Sequence, residues 1–217
     1  TMEALARLPP RASEPPPCLG LQVVPEAAAC RARNPAVSFE IDTLHSRDVG
    51  TSLFERKCDI VIGYGEPRGA HLVDIRQLCS GELVLVAPSG SFGEAGRPVD
   101  IEVLHGADFI GCRDSGPSSG LFAGHLVDRS VVPNEVVTVR THYVGMSLAR
   151  RGVGMAVVDR FTARAMSDPA VSAHPFSRPI LYPVNAILLR DHPEPARMTE
   201  CLTVLTGIPS RCDPRGG

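Results

Sequence analysis

Gly116-Pro117-Ser118-Ser119-Gly120 fits the G-x-S-x-G spacing of a nucleophile elbow, in which a serine stands on a sharp strand-to-helix turn for acyl transfer. Asp159 and either His174 or His192 follow in the Ser–Asp–His order of such hydrolases. The surrounding residues oppose this reading. An elbow needs a strand running straight into the turn, whereas Arg113-Asp114-Ser115 intervene after Cys112. Pro117 suits the first position of a helix, where a missing N–H costs nothing, with Gly116 or Ser115 capping it. The chain is also short for that fold. Gly152 and Gly154 form a G-x-G after a helical pattern, without the third glycine of a dinucleotide fingerprint, and read as a helix stop. The histidines and cysteines lack metal-ligand spacing, so no metal and no cofactor is expected.

The seven cysteines are odd in number and scattered, at positions 18, 30, 58, 79, 112, 201 and 212, with no C-x-x-C. They are expected to be free thiols in a reducing cytosol, since oxidising compartments favour paired frameworks. The 217 residues allow one large core or two lobes of about 100 residues each. Hydrophobic residues make up 43% and charged residues 21%, ordinary globular values. A formal net charge of −2 leaves no basic surplus to neutralise phosphates, so any DNA contact is expected from a part absent from this sequence. No run approaches the roughly 18 apolar residues that span a bilayer, and Thr1-Met2-Glu3-Ala4 does not open a signal peptide. It reads as the start of a piece cut from a longer protein, and a cytoplasmic location is expected.

Short β-rich runs alternate with amphipathic segments, the pattern of an α/β fold with mostly parallel sheets. A strand is expected at Leu5–Leu8, then a Pro-rich loop from Pro9 to Pro17. Helix Cys18–Arg33 places Leu21, Val24 and Ala28 on one face and is stopped by Asn34-Pro35. Strands follow at Val37–Ile41, at the continuously apolar run Asp59–Gly63 and at Gly81–Pro88, with a helix at Arg47–Arg56. Beyond the Gly/Ser-rich loop Ser89–Arg97, a short helix is expected near Asp100–Leu104 and a strand at Asp108–Cys112. Helix Leu121–Arg129, strand Glu135–Arg140 and helix Tyr143–Arg151 come next. The Gly152–Gly154 turn then leads into a buried strand ending at Val158, followed by helix Arg160–Met166. The strand Pro183–Arg190 and helix Pro195–Thr206 have no nearby βαβ partner, so they are expected to return to the first lobe. Lobe I then comprises 1–86 and 186–217, and lobe II 87–185, with a cleft between them.

Four stretches in this order resemble the effector-binding domain of LysR-type transcription regulators. They are Val24-Pro25-Glu26 through Arg31-Ala32-Arg33-Asn34-Pro35-Ala36-Val37, Cys58-Asp59-Ile60-Val61-Ile62-Gly63, Glu82-Leu83-Val84-Leu85-Val86-Ala87-Pro88, and Val144 to Val158 with its Arg150-Arg151-Gly152-Val153-Gly154 turn. The likeness covers nearly the whole chain. Its proline-rich Pro9–Pro17 segment departs from the family's usual loop. The resemblance implies two Rossmann-like lobes joined by two crossover strands, as in type 2 periplasmic binding proteins. It also implies that the chain is not an enzyme but a sensor of a small molecule, anionic or polar. The regulator would be a homodimer or homotetramer and would reach DNA only through an N-terminal helix-turn-helix that is not in this sequence. A periplasmic solute-binding protein of an uptake system shares the architecture and is the alternative, disfavoured by the cysteines.

Carried over by motif position, the resemblance implies a ligand site of Ser13 and Cys18, His45 and Ser46, Tyr64 and Gly65 on lobe I. On lobe II it implies Gly111 and Cys112, and Thr141 and His142 at a helix start. Helix N-termini attract anions and hydroxyls add adaptable hydrogen bonds, which suits a polar ligand. The same Ser and Thr also suit plain capping roles. Beside a ligand carboxylate, His45 or His142 would change charge near neutral pH; otherwise each would be a surface or cap histidine.

Overall fold

A computed structural model of the chain describes residues 11–14, 28–29, 31–33, 35, 38, 40–43, 48–64, 70–113 and 117–190. The expected strand Leu5–Leu8 and helix Pro195–Thr206 lie outside the described residues, as does the start of the helix expected from Cys18; residues 28–29 and 31–33 of that helix are helical. The chain forms two compact units. One comprises Thr1–Pro15, Gln22–Cys79 and Pro183–Gly217, the other Pro16–Leu21 and Ser80–Tyr182.

In the first unit, strand β1 (Arg11–Glu14) pairs in parallel with β2 (Glu40–Thr43) on one side and β3 (Ile60–Tyr64) on the other. β1 falls inside the segment expected to be a Pro-rich loop. No local pattern marks it as a strand; its ladder partners, far away in sequence, decide the conformation. β3 is the continuously apolar run, and Ile60, Val61 and Ile62 are all buried. Such a strand needs cover on both faces. Helix α1 (Val49–Phe54) supplies part of it, as Val49 and Leu53 join Cys58, Val61, Val73 and Ile187 in one apolar cluster. The free edge of β3 is closed by the end of the chain's last strand, in which Val184–Leu188 runs antiparallel to Ile60–Tyr64. The late strand therefore does return to the earliest sheet.

The second unit holds β5 (Asp108–Cys112) between two parallel neighbours, β6 (Asn134–Val139) and β7 (Met155–Asp159). Strand β4 (Val73–Pro88) pairs antiparallel with β7 through Leu83–Val86. Helices α2 (Pro117–Asp128), α3 (His142–Ala149) and α4 (Arg160–Ala165) complete it. Val84, Val86, Ile110, Met146, Ala156 and Val158 form its apolar centre. A 3-10 turn at Ile101–Leu104 takes the place of the short helix expected there.

Two strands came out far longer than their local patterns suggested. β4 begins at Val73 and not Gly81, and β8 (Val171–Leu189) begins well before Pro183. Pro175 and Pro179 lie within β8, although proline cannot donate to a ladder. At Val99 the proline supplies only an acceptor: Pro175 accepts from the Val99 N–H at 3.0 Å, and the Ser177 N–H donates to the Val99 carbonyl at 2.8 Å. Buried and partly exposed residues alternate from Val171 to Phe176, the signature of a half-buried strand. Both β4 and β8 contribute residues to each of the two units.

Candidate functional site

In the first unit β1 and β2 end level with each other at Glu14 and Thr43, and β3 runs on to Tyr64. Ser13 stands in β1, in register with Asp42 and Val61, and not in a loop after it. Tyr64 is the last residue of β3, opposite Val184. Cys18, His45, Ser46 and Gly65 lie outside the described residues.

The second unit brings its four candidates together. Gly111 and Cys112 close β5, opposite Thr138 and Val139 of β6. The chain continues from β6 into Thr141, whose backbone is extended and whose hydroxyl accepts the Val144 N–H at 3.3 Å, which makes it the N-cap of α3. Cys112, a free and half-buried thiol, packs against the cluster that contains Met146 of the same helix. Three strand ends and one helix start thus share an edge of this unit, the arrangement in which α/β proteins present main-chain N–H groups to ligands.

His142 is neither exposed nor a cap. Only 3% of it meets solvent. Its Nδ1 lies 2.8 Å from an Asp159 carboxylate oxygen and 3.1 Å from the Asp159 N–H. One ring nitrogen cannot donate to the first and accept from the second in the same tautomer. The shorter, charge-assisted contact governs, so Nδ1 carries the proton and donates it to the carboxylate. Asp159 is fully buried, and its carboxylate also caps α4 by accepting the Thr162 N–H at 2.7 Å and the Thr162 hydroxyl at 2.6 Å. Asp159 therefore locks the ring of His142 while starting the next helix.

Gly111 has a role that its motif position does not reveal. A Cβ there would sit 2.5 Å from the carboxyl carbon of Glu135, so the absent side chain is the space Glu135 occupies. Glu135 accepts from the Thr138 hydroxyl and, at 3.1 Å, from Arg113. The Thr138 hydrogen bond, seconded by Arg113 and opposed by partial burial, holds its carboxyl below the usual carboxylate range. Arg113 itself is anchored by its N–H to the Val139 carbonyl at 2.9 Å. This trio has no local signature among its residues, because it depends on β5 and β6 lying side by side.

Among the described residues the elbow reading finds no support, and its other candidate histidine, His192, lies outside them. Pro117 does open helix α2, and Ser118 is buried in its first turn at 1% exposure. Asp159 is committed to His142 and Thr162. His174 is also buried, donating from Nδ1 to the Arg97 carbonyl at 2.9 Å, with Nε2 taking the Ser172 hydroxyl at 2.7 Å. Its two nitrogens are thus occupied far from a base's task. Gly152 has φ +73° and ends α3, with its N–H on the Ala149 carbonyl and the Val153 N–H on the Leu148 carbonyl, as a helix stop requires. Among the described residues no group of three or more His, Cys, Asp or Glu is placed to hold a metal ion, and no helix is long and apolar enough to cross a membrane.

Comparison with known proteins gives one family and a consistent set of folds. The LysR substrate binding domain model matches residues 16–207. The HTH-type transcriptional regulator DgcR of Pseudoalteromonas sp is 29% identical over 176 residues, which is 81% of this chain and 60% of that protein. The chain thus spans less than two thirds of that relative's length. Among solved structures, the BenM effector binding domain with its effector benzoate superposes with a TM-score of 0.75 at 14% identity, covering 92% of this chain and 90% of that one. The effector binding domain of QuiR in complex with shikimate gives 0.76 at 12% identity, covering 94% and 98%.

Proposed function

This chain belongs to the LysR substrate-binding domain family, and we propose on that footing that it is the sensing part of a DNA-binding transcription regulator. The observation that carries the reading is the family match over residues 16–207 together with the polar strand-end edge at Gly111, Cys112, Thr141 and His142. It favours a regulator over the binding protein of an uptake system. The chain works by binding and not by catalysis, in the cytoplasm.

The effector is a small carboxylate or similarly polar molecule. Benzoate and shikimate, seen with the BenM and QuiR domains, are both carboxylates, and the start of α3 offers what such an anion needs. The residues of the proposed ligand site are Ser13, Cys18, His45, Ser46, Tyr64, Gly65, Gly111, Cys112, Thr141 and His142. Because His142 is already turned to Asp159, it acts by orienting the helix start, while Thr141 meets the ligand. The sensor assembles as a homodimer or homotetramer, and its DNA contacts come from a separate helix-turn-helix. Effector binding changes the output only by favouring one arrangement over another.

The test is a thermal-shift titration of the chain with benzoate, shikimate and a set of other small carboxylates, repeated on Thr141→Ala. A carboxylate at 100 times its Kd should add about 2.7 kcal/mol of stability to the wild type and less to the variant. If no carboxylate raises the melting point, the sensing reading fails. If one does so equally in both proteins, Thr141 is not a contact.

A further inference from the structure

The second unit contains a cavity of about 240 Å³ whose described lining includes none of Gly111, Cys112, Thr141 and His142. Its floor is apolar, built from Phe176 and Ile180 of β8, both buried. Its wall is ionic and uneven. Arg129 of the segment after α2 reaches Glu102 of the 3-10 turn at 2.9 Å, so that pair neutralises itself. Asp100, on one side of the cavity, spends no side-chain hydrogen bond on capping the turn that follows it. Arg178 of β8 brings the opposite charge, and His125 of α2 adds an imidazole to the lining.

We propose that this cavity binds a small zwitterion with an apolar group, namely an α-amino acid with an aliphatic or aromatic side chain. The charge pattern calls for that chemistry. A simple anion would be met by Arg178 but repelled by Asp100, and a simple cation would meet the reverse. A molecule carrying carboxylate and ammonium on one carbon satisfies both, and its side chain covers Phe176 and Ile180. The carboxylate accepts from the Arg178 guanidinium, with His125 beside it, and the ammonium donates to Asp100. The volume falls below the roughly 300–1,000 Å³ of sites for drug-sized ligands, which limits the occupant to amino-acid size. The described lining belongs to the second unit and shares no residue with Gly111, Cys112, Thr141 or His142, so this site fills independently of the proposed carboxylate site.

The test is isothermal titration of the 217-residue chain with L-leucine, L-phenylalanine, L-methionine and L-valine, each compared with analogues lacking one charge. For leucine these are 4-methylpentanoate and 3-methylbutylamine. At least one amino acid should bind, and each single-charge analogue should bind about tenfold more weakly, the loss expected for one charge-assisted contact. Arg178→Gln and Asp100→Asn each remove one charge at an exposed position, and each should cut amino-acid affinity by about the same tenfold factor. Thr141→Ala should leave that affinity unchanged, which separates this site from the proposed effector site. The proposal is overturned if none of the four amino acids binds at millimolar concentration. It is equally overturned if binding survives both charge-removing substitutions, or if it is lost with Thr141→Ala.

Discussion

Single residues at the strand-end edge of the second unit work in pairs, and the pairs can be measured. Gly111→Ala places a methyl group where the Glu135 carboxyl lies, 2.5 Å from its carbon. Glu135 is the far end of a movable side chain, so it will yield and lose its Thr138 and Arg113 partners. We expect a loss of about 1–2 kcal/mol, with Gly111→Ala in a Glu135→Ala background costing much less, in a denaturant double-mutant cycle. The carboxyl of Glu135 also has a signature in acid. Its folded pKa lies below the ordinary carboxylate value, because the Thr138 hydrogen bond favours the charged form. Its contribution to stability is therefore complete above that ordinary value and is lost as pH falls through it to the lowered one. Melting temperatures measured from neutrality into acid should fall less steeply for Glu135→Gln than for the wild type. Asp168, held low first by the Ala170 N–H and then by Arg150, acts in the same direction. Of this edge, Thr141 was legible in the sequence because capping is local, whereas the Gly111–Glu135 contact was not, since it spans 24 positions and depends on strand pairing.

Elements carry the same lesson. Where a run was continuously apolar or had local stop signals, its place was readable: β3, β5 at Asp108–Cys112, and the end of α3 at Gly152 all fall where their residues indicate. Where pairing partners lie far away, it was not. β1 hides among prolines, and β8 runs through two of them: at Val99 Pro175 supplies only its carbonyl, and the Ser177 N–H supplies the donor. The two glycines after α3 also separate by cause. Gly152 is needed for a positive φ, and Gly154 for room, since a Cβ there would lie 2.7 Å from the Asp108 carbonyl oxygen. Gly152→Ala should cost about 1 kcal/mol, the usual penalty for a left-handed alanine. Gly154→Ala presses on the backbone of β5, which cannot swing aside, and should cost more than Gly152→Ala in urea unfolding. Equal losses would show that crowding against Asp108 does not matter.

At the scale of the whole molecule, the path of the chain is the main fact. It leaves the first unit along β4 and comes back along β8. Just inside the second unit, the ring of Tyr182 packs over Gly81, and the buried carboxylate of Glu82 is paired with Arg160 of α4. Removing one partner of a buried pair leaves the other desolvated. Arg160→Met should therefore cost about 3–5 kcal/mol, and adding Glu82→Gln should restore part of it. A loss no larger than that of Glu82→Gln alone would mean the pair contributes little. The family resemblance reached the two-lobed fold from four short stretches. It could not supply the partners of Asp159, Glu135 or Glu82, which exist only after folding.

The antiparallel ladder between Ile60–Tyr64 and Val184–Leu188 has a consequence for how the protein is made. A ribosome delivers β3 more than a hundred residues before its neighbour. For that time the most apolar strand of the first unit keeps an unpaired edge, while the run from Ser80 to Tyr182 has emerged and can fold. Synthesis thus finishes the inserted unit before the one that hosts it, and a nascent chain that stalls near residue 182 presents a sticky β-edge to chaperones or to other copies of itself.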